Sequence, residues 1–176
     1  MRSFALILTL FVSVFQLNAQ EDENYFLLEW GLPDWAEQAV YNWEQYELYK
    51  LSDFINPYYF QADYNGDGQS DIAIAIQDRQ TAKTGILIIH GGSNEMFLMG
   101  AGVNYSNIYD DFYWMDIWKV KKQRTQSVLT FKDDGDIDGN KDIEVKGDVL
   151  LVVAAEAASA IIYWDGSKYL AASKSD

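Results

Sequence analysis

The stretch Asp63-Tyr64-Asn65-Gly66-Asp67-Gly68-Gln69-Ser70-Asp71-Ile72-Ala73-Ile74 joins two patterns that belong to different kinds of structure. Oxygen-bearing side chains recur at loop positions 1, 3, 5 and 9, which are Asp63, Asn65, Asp67 and Asp71, with Gly68 at position 6 and the Gln69 carbonyl at position 7. A hard cation such as calcium takes about six to eight oxygen ligands, so a loop must fold its own carboxylates inward, and glycine at position 6 permits the sharp turn. From Asp71 onward, apolar residues alternate as in a strand. An EF-hand would place a bidentate glutamate at position 12, where Ile74 stands. The expectation is a loop that feeds a strand and binds a structural calcium ion through Asp63, Asn65, Asp67, Gln69 and Asp71. Asp, Asn and Gly also cluster in ordinary turns, which is the competing reading.

Downstream, short apolar or alternating runs continue: 86–89, 96–99, 112–120, 128–131, Ile143 with Val145, 149–153, 161–164 and 169–171. Turn formers separate them, among them Gly91-Gly92 and Asp165-Gly166, the latter predicting a hairpin. The one basic cluster, 121–127, predicts an exposed hairpin tip. Upstream, Pro33 and Pro57 bracket the one segment with helical periodicity. Asp34 and Glu37 predict a capping box. Trp35, Ala36, Ala39, Val40, Trp43, Tyr46, Tyr49, Leu51 and Phe54 fall on one stripe, and Glu37, Gln38, Asn42, Glu44 and Gln45 face away. The predicted fold class is α+β: a mainly antiparallel sheet or meander covered by one N-terminal amphipathic helix over about 34–54.

Residues 1–19 combine Arg2, an apolar run from Phe4 to Phe15 and a small Ala19, which predicts a secretory signal peptide. The run is shorter than the roughly 20 residues that span a bilayer. Export to a periplasmic or extracellular space follows, with no membrane insertion once the leader is removed. The chain has 176 residues, 13 basic against 27 acidic side chains, a net charge of −14 and no cysteine. That balance argues against a nucleic-acid partner, which needs a cationic footprint, and the cysteine count excludes thiolate chemistry. Aromatic residues at 15% supply the buried surface of a folded domain.

Asp134, Asp136, Asp138, Asn140 and Asp142, with Gly139 at position 6, repeat the same spacing 71 residues later and form a second candidate loop. The 63–74 segment resembles the calcium loops of FG-GAP and VCBS-type repeats, which occur in the blades of the integrin alpha-subunit propeller and its bacterial relatives. The resemblance implies that the carboxylates hold calcium and that the apolar residues after Asp71 enter a blade-like sheet. Two copies fall short of the roughly four or more blades of a closed ring. The expectation is therefore one compact domain over 20–176, with partial blade-like units at about 58–125 and 126–176.

Two other constellations bear on function. His90-Gly91-Gly92 resembles the oxyanion segment of esterases, but His90 is the only histidine and no Gly-X-Ser-X-Gly elbow is present, so a histidine at a strand end is the simpler reading. The segment 104–118 mixes aromatic residues with Asp110, Asp111 and Asp116, a composition suited to sugar binding or hydrolysis, and also to half-buried sheet packing. Asn104-Tyr105-Ser106 fits a glycosylation sequon. The functional expectation is an exported, non-catalytic calcium-binding protein whose loop stabilises a surface for a macromolecule, protein or polysaccharide. The alternatives are a carbohydrate-active or carbohydrate-binding protein using 104–118, and a secreted inhibitor or adhesion module.

Overall fold

The computed structural model describes residues 28, 31–105, 110–155 and 157–174. The leader expected over 1–19 and Ser106 of the sequon lie outside the described residues. The fold is built around strand β3 (Asp71–Asp78), in which six consecutive residues from Asp71 to Ile76 are buried. A strand buried on both faces needs cover on both sides, and the sequence Ile-Ala-Ile-Ala-Ile supplies two different faces.

Along one edge of β3, two short strands pair in succession: β1 (Tyr49–Leu51) against 76–78 and β2 (Tyr59–Ala62) against 71–74. On the other edge lies β4 (Thr84–Ile89), followed by β5 (Met96–Gly100), giving a five-stranded antiparallel sheet. A second antiparallel sheet contains β6 (Ile117–Lys121), β9 (Val149–Ala154), β10 (Ala158–Trp164) and β11 (Tyr169–Ser173) in the order β11-β10-β9-β6. Strands β7 (Thr125–Phe131) and β8 (Ile137–Glu144) form a separate two-stranded ribbon.

The layers follow from the alternation. Ile72, Ile74 and Ile76 pack with Leu87 and Ile89 beneath helix α1 (Asp34–Tyr41), which contributes Ala36, Ala39 and Val40. Ala73 and Ala75 face the second sheet, where small residues on β3 meet Trp118, Leu150, Val152, Ile162 and Tyr169. Matching small side chains with large ones fills such an interior without voids. The outer face of the second sheet, Val149, Leu151 and Ile161, is covered by Val128 and Val145 of the ribbon segment. Among the described residues no helix is long and apolar enough to cross a membrane.

The antiparallel β character matches the expectation, and the 165–166 turn does join two strands, with Trp164 opposite Tyr169. Four details differ. The helix predicted over about 34–54 ends at Tyr41: Asn42 closes it, its backbone N–H and its side-chain Nδ2 both donating to the Gln38 carbonyl. Tyr46–Leu48 then form a 3-10 turn, and Tyr49–Leu51 become β1, because the free edge of β3 offers backbone partners that a longer helix would forgo. Pro33 stands at the N-cap position, where it has no side-chain donor or acceptor, so the Asp34–Glu37 box does not form and both acids lie in the first turn, where the helix dipole favours them. The basic 121–127 segment is a crossing between layers and not a hairpin tip, since β6 pairs with β9 while β7 pairs with β8. The strand expected over 112–120 begins only at Ile117.

Leu150 is wholly buried between the two sheets. Leu150→Ala is expected to destabilise the protein by about 2–5 kcal/mol, read as a lower urea midpoint at unchanged slope. Tyr113, 79% exposed, is the control, and Tyr113→Ala should stay within about 0.5 kcal/mol.

Candidate functional site

Ala62 pairs with Asp71, so residues 63–70 close the hairpin between β2 and β3. Gly66 and Gly68 adopt left-handed conformations, φ 78° and 87°, which turn the chain around the Asp63 side chain. Asp63 Oδ1 accepts from the amides of Gly66 at 2.7 Å and Asp67 at 3.0 Å, and its Oδ2 accepts from Gly68 at 3.1 Å. Asn65 Oδ1 accepts from the same Asp67 amide at 2.9 Å, and Asn65 Nδ2 donates to Asp67 Oδ2 at 3.0 Å. Asp67 Oδ1 accepts from the Gln69 amide at 2.7 Å. Asp63, Asn65 and Asp67 are thereby gathered on one turn, with the backbone of Gln69 beside them.

Asp71 points the other way, into the protein, and is 0% exposed. Its Oδ2 accepts from the amides of Tyr64 at 2.8 Å and Asn65 at 3.2 Å, and its Oδ1 from Gly91 at 2.9 Å. Burial raises its pKa, opposed by the Gly91, Asn65 and Tyr64 amides and by His90. The hydroxyls beneath it are shifted the same way: burial, then the Asp148 and Asp71 charges, raises Tyr64, and burial, then Asp71, raises Tyr169. Tyr169 in turn meets His90, its hydroxyl 2.7 Å from Nε2, inside a cluster with Phe97 and Trp164. At the exposed end, the Gln69 amide and then the Asn65 side chain hold Asp67 below the usual carboxylate value.

The loop is also a seam. The Asp63 carbonyl accepts from the Asp148 amide at 2.6 Å, just before β9 of the second sheet. A Cβ at Gly147 would lie 2.0 Å from the Tyr64 carbonyl oxygen, one at Gly66 2.8 Å from the Lys146 carbonyl, and one at Gly91 2.2 Å from the Ser70 carbonyl. The loop thus sits between the turn after β4 in one sheet and the entry to β9 in the other. Sequence reading singled out none of Tyr64, Gly91, Gly147 and Asp148 for this role. Lys146-Gly147-Asp148 has the composition of a turn, and no local spacing ties it to residue 63.

The second candidate set is placed differently. Its turn closes at 132–136, where the Lys132 amide donates to the Asp136 carbonyl at 2.8 Å and the Asp136 amide to Asp134 Oδ1 at 3.1 Å. From Ile137 the chain is strand β8, with Gly139 extended opposite Thr130. Asn140 and Asp142 therefore fall on alternate positions of one exposed strand face, and Asp138 sits at the register shift between the Gly139 and Ile137 pairings. Such neighbours are roughly 6.6–6.8 Å apart along a strand, too far for the set to share one cation. Among the described residues no group of three or more His, Asp or Glu side chains is clustered as a metal site, the first loop included. That loop's carboxylates instead hold its own backbone amides. Its donor chemistry, two carboxylates, an amide oxygen and a backbone carbonyl on one turn, is nevertheless that of a hard-cation loop.

The acids of 104–118 each have a separate partner. Asp110 pairs with Lys83, Asp111 Oδ1 accepts from the amide and hydroxyl of Thr84 at 3.0 and 2.9 Å, and Asp116 Oδ2 accepts from the Ala155 amide at 2.7 Å. Phe112 is buried and stacks on Trp114 with centroids 5.7 Å apart. Comparison of the chain with protein-family models, curated proteins and solved structures finds no match.

Gly147→Ala should push the Tyr64 backbone off the entry to β9 and destabilise the protein by about 1–3 kcal/mol in urea unfolding, whereas an unchanged midpoint would show that the two segments are not pressed together. A pH dependence follows from Asp67. A value lowered in the folded state gives stability that is complete above the unfolded value of 3.8 and is lost as the pH falls through the folded one. In chelator, the gap between the thermal midpoints of the wild type and Asp67→Asn is expected to narrow as the pH falls below the unfolded value of 3.8. A gap that stays constant would assign the effect to shape and not charge.

Proposed function

We propose that this chain is an exported, non-catalytic calcium-binding protein of FG-GAP/VCBS type, in which the 63–71 loop braces a surface that binds a macromolecule. The observation that carries the reading is the position of the loop. It joins β2 to β3, receives the Gly91 amide on Asp71 and the Asp148 amide on the Asp63 carbonyl, and so touches both sheets. Asp63, Asn65, Asp67 and the Gln69 carbonyl would hold the ion, while the buried Asp71, turned inward onto the Tyr64, Asn65 and Gly91 amides, fixes the base of the loop. Calcium would neutralise the carboxylates that the turn crowds together, and it would do so only in the folded state, so that binding stabilises the fold. The apolar leader supports export, where free calcium is abundant enough for the affinity of an extracellular module, about 10⁻⁴ to 10⁻³ M.

The test is thermal unfolding in calcium, in magnesium and after chelation. At about 10 mM calcium the midpoint is expected to rise by about 3–10 °C, with little response to magnesium and none in Asp67→Ala. Identical midpoints under all three conditions would overturn the calcium reading.

A further inference from the structure

Because α1 stops at Tyr41 and the chain turns back through 42–45, a groove opens between the helix, that turn and the 90–95 turn that leads into β5. Its volume is about 450 Å³, within the roughly 300–1,000 Å³ range of small-ligand sites. Two indoles, Trp35 and Trp43, line it, together with the primary amides of Gln38, Asn42, Gln45 and Asn94. Both indoles are anchored: each packs partly buried on the core beneath α1, and Trp43 stacks on Tyr49 with centroids 5.2 Å apart. Asn94 is held in a left-handed conformation, φ 57°, with its backbone N–H donating to the His90 carbonyl at 3.0 Å. The four amide-bearing residues are exposed, and no hydrogen bond within the described residues engages the side chains of Gln38, Gln45 or Asn94.

This chemistry selects a ligand class. Each primary amide presents two donors and an acceptor, which matches hydroxyl groups that both donate and accept. Indole faces suit the apolar C–H faces of sugar rings. An aliphatic chain laid over the groove would strip water from four amides and return no hydrogen bonds. Among the described residues the lining contains no Lys, Arg or His, and its one acidic side chain is Glu44, on a protein of net charge −14, so anionic ligands are repelled. We infer that this groove binds a neutral oligosaccharide, stacked on Trp35 and Trp43 and hydrogen-bonded by Gln38, Asn42, Gln45 and Asn94. The inference rests on the reading of the chain as a non-catalytic binder and does not depend on calcium.

Tryptophan fluorescence titrations of the full chain with maltotriose, cellotriose, xylotriose and chitotriose, each in calcium and in chelator, test it. Trigalacturonate and choline serve as the anionic and cationic probes. Saturable binding of at least one neutral trisaccharide is expected, with neither charged probe bound. Gln38→Ala and Gln45→Ala alter exposed side chains and should each weaken that binding about three- to tenfold. Trp35→Ala should abolish it, while Trp35→Phe, which keeps a ring on the core, confirms that the loss is not one of folding. The inference is overturned if no neutral trisaccharide binds, if binding survives both glutamine substitutions undiminished, or if only trigalacturonate or choline binds. Saccharide binding that persists while calcium leaves the thermal midpoint unmoved would sustain the groove and remove the calcium loop, so the two readings fail separately.

Discussion

The buried carboxylate of Asp71 organises the loop before β3 and the turn after β4 around itself. It is fully buried at the first position of β3, and three backbone amides from two places in the chain, Tyr64 and Asn65 on one side and Gly91 on the other, are directed at it. A buried carboxylate without such donors is strongly unfavourable, so the loop before β3 and the turn after β4 must both come to it. Once they do, the β2–β3 hairpin has its length, the 90–95 turn has its place, and the Asp63 carbonyl is set where the second sheet begins. Tyr64, His90 and Tyr169 complete a buried polar cluster around which the aromatic residues Phe97 and Trp164 close.

From that point the layering is a matter of side-chain volume. The isoleucine face of β3 takes a two-turn helix made flat by Ala36 and Ala39, and the alanine face takes a sheet that brings Trp118 and Tyr169. The same division explains why the helix is short. Its stripe of apolar residues continues past Tyr41 in sequence, but Tyr49 and Leu51 are buried with equal success as an edge strand, where their backbone groups also find partners on β3. Ending the helix there leaves the amide-lined groove beside Trp35 and Trp43, and the Gly91 turn that Asp71 anchors carries Asn94 into its lining.

Two segments with one spacing have two structures. In 63–71 the flanking strands pair with each other across the loop, so the carboxylates turn inward on their own amides. In 134–142 the neighbouring strand β7 reaches back to Thr125, and a ladder from Thr125 opposite Glu144 to Thr130 opposite Gly139 draws Asn140 and Asp142 into β8, away from Asp134 and Asp136 in the turn. The spacing of oxygens is a local property, while the choice between loop and strand depends on what the flanking segments can pair with.

Local patterns in the sequence specify the β-rich class, the positions of most of the strands downstream of Pro57, the hairpin at Asp165-Gly166 and the candidacy of the 63–71 loop, but not β2 or the greater part of β8. Each of these rests on periodicity or turn chemistry within about ten residues, which a linear pattern records. Long-range packing sets where the helix ends, that 121–127 crosses between layers, that the acids of 104–118 serve separate partners, and that Gly91, Gly147 and Asp148 belong with a loop that precedes them by 20 residues or more. Backbone pairing and the solvation of a buried charge are satisfied by whichever groups arrive in space, and their distance along the chain leaves no periodic trace.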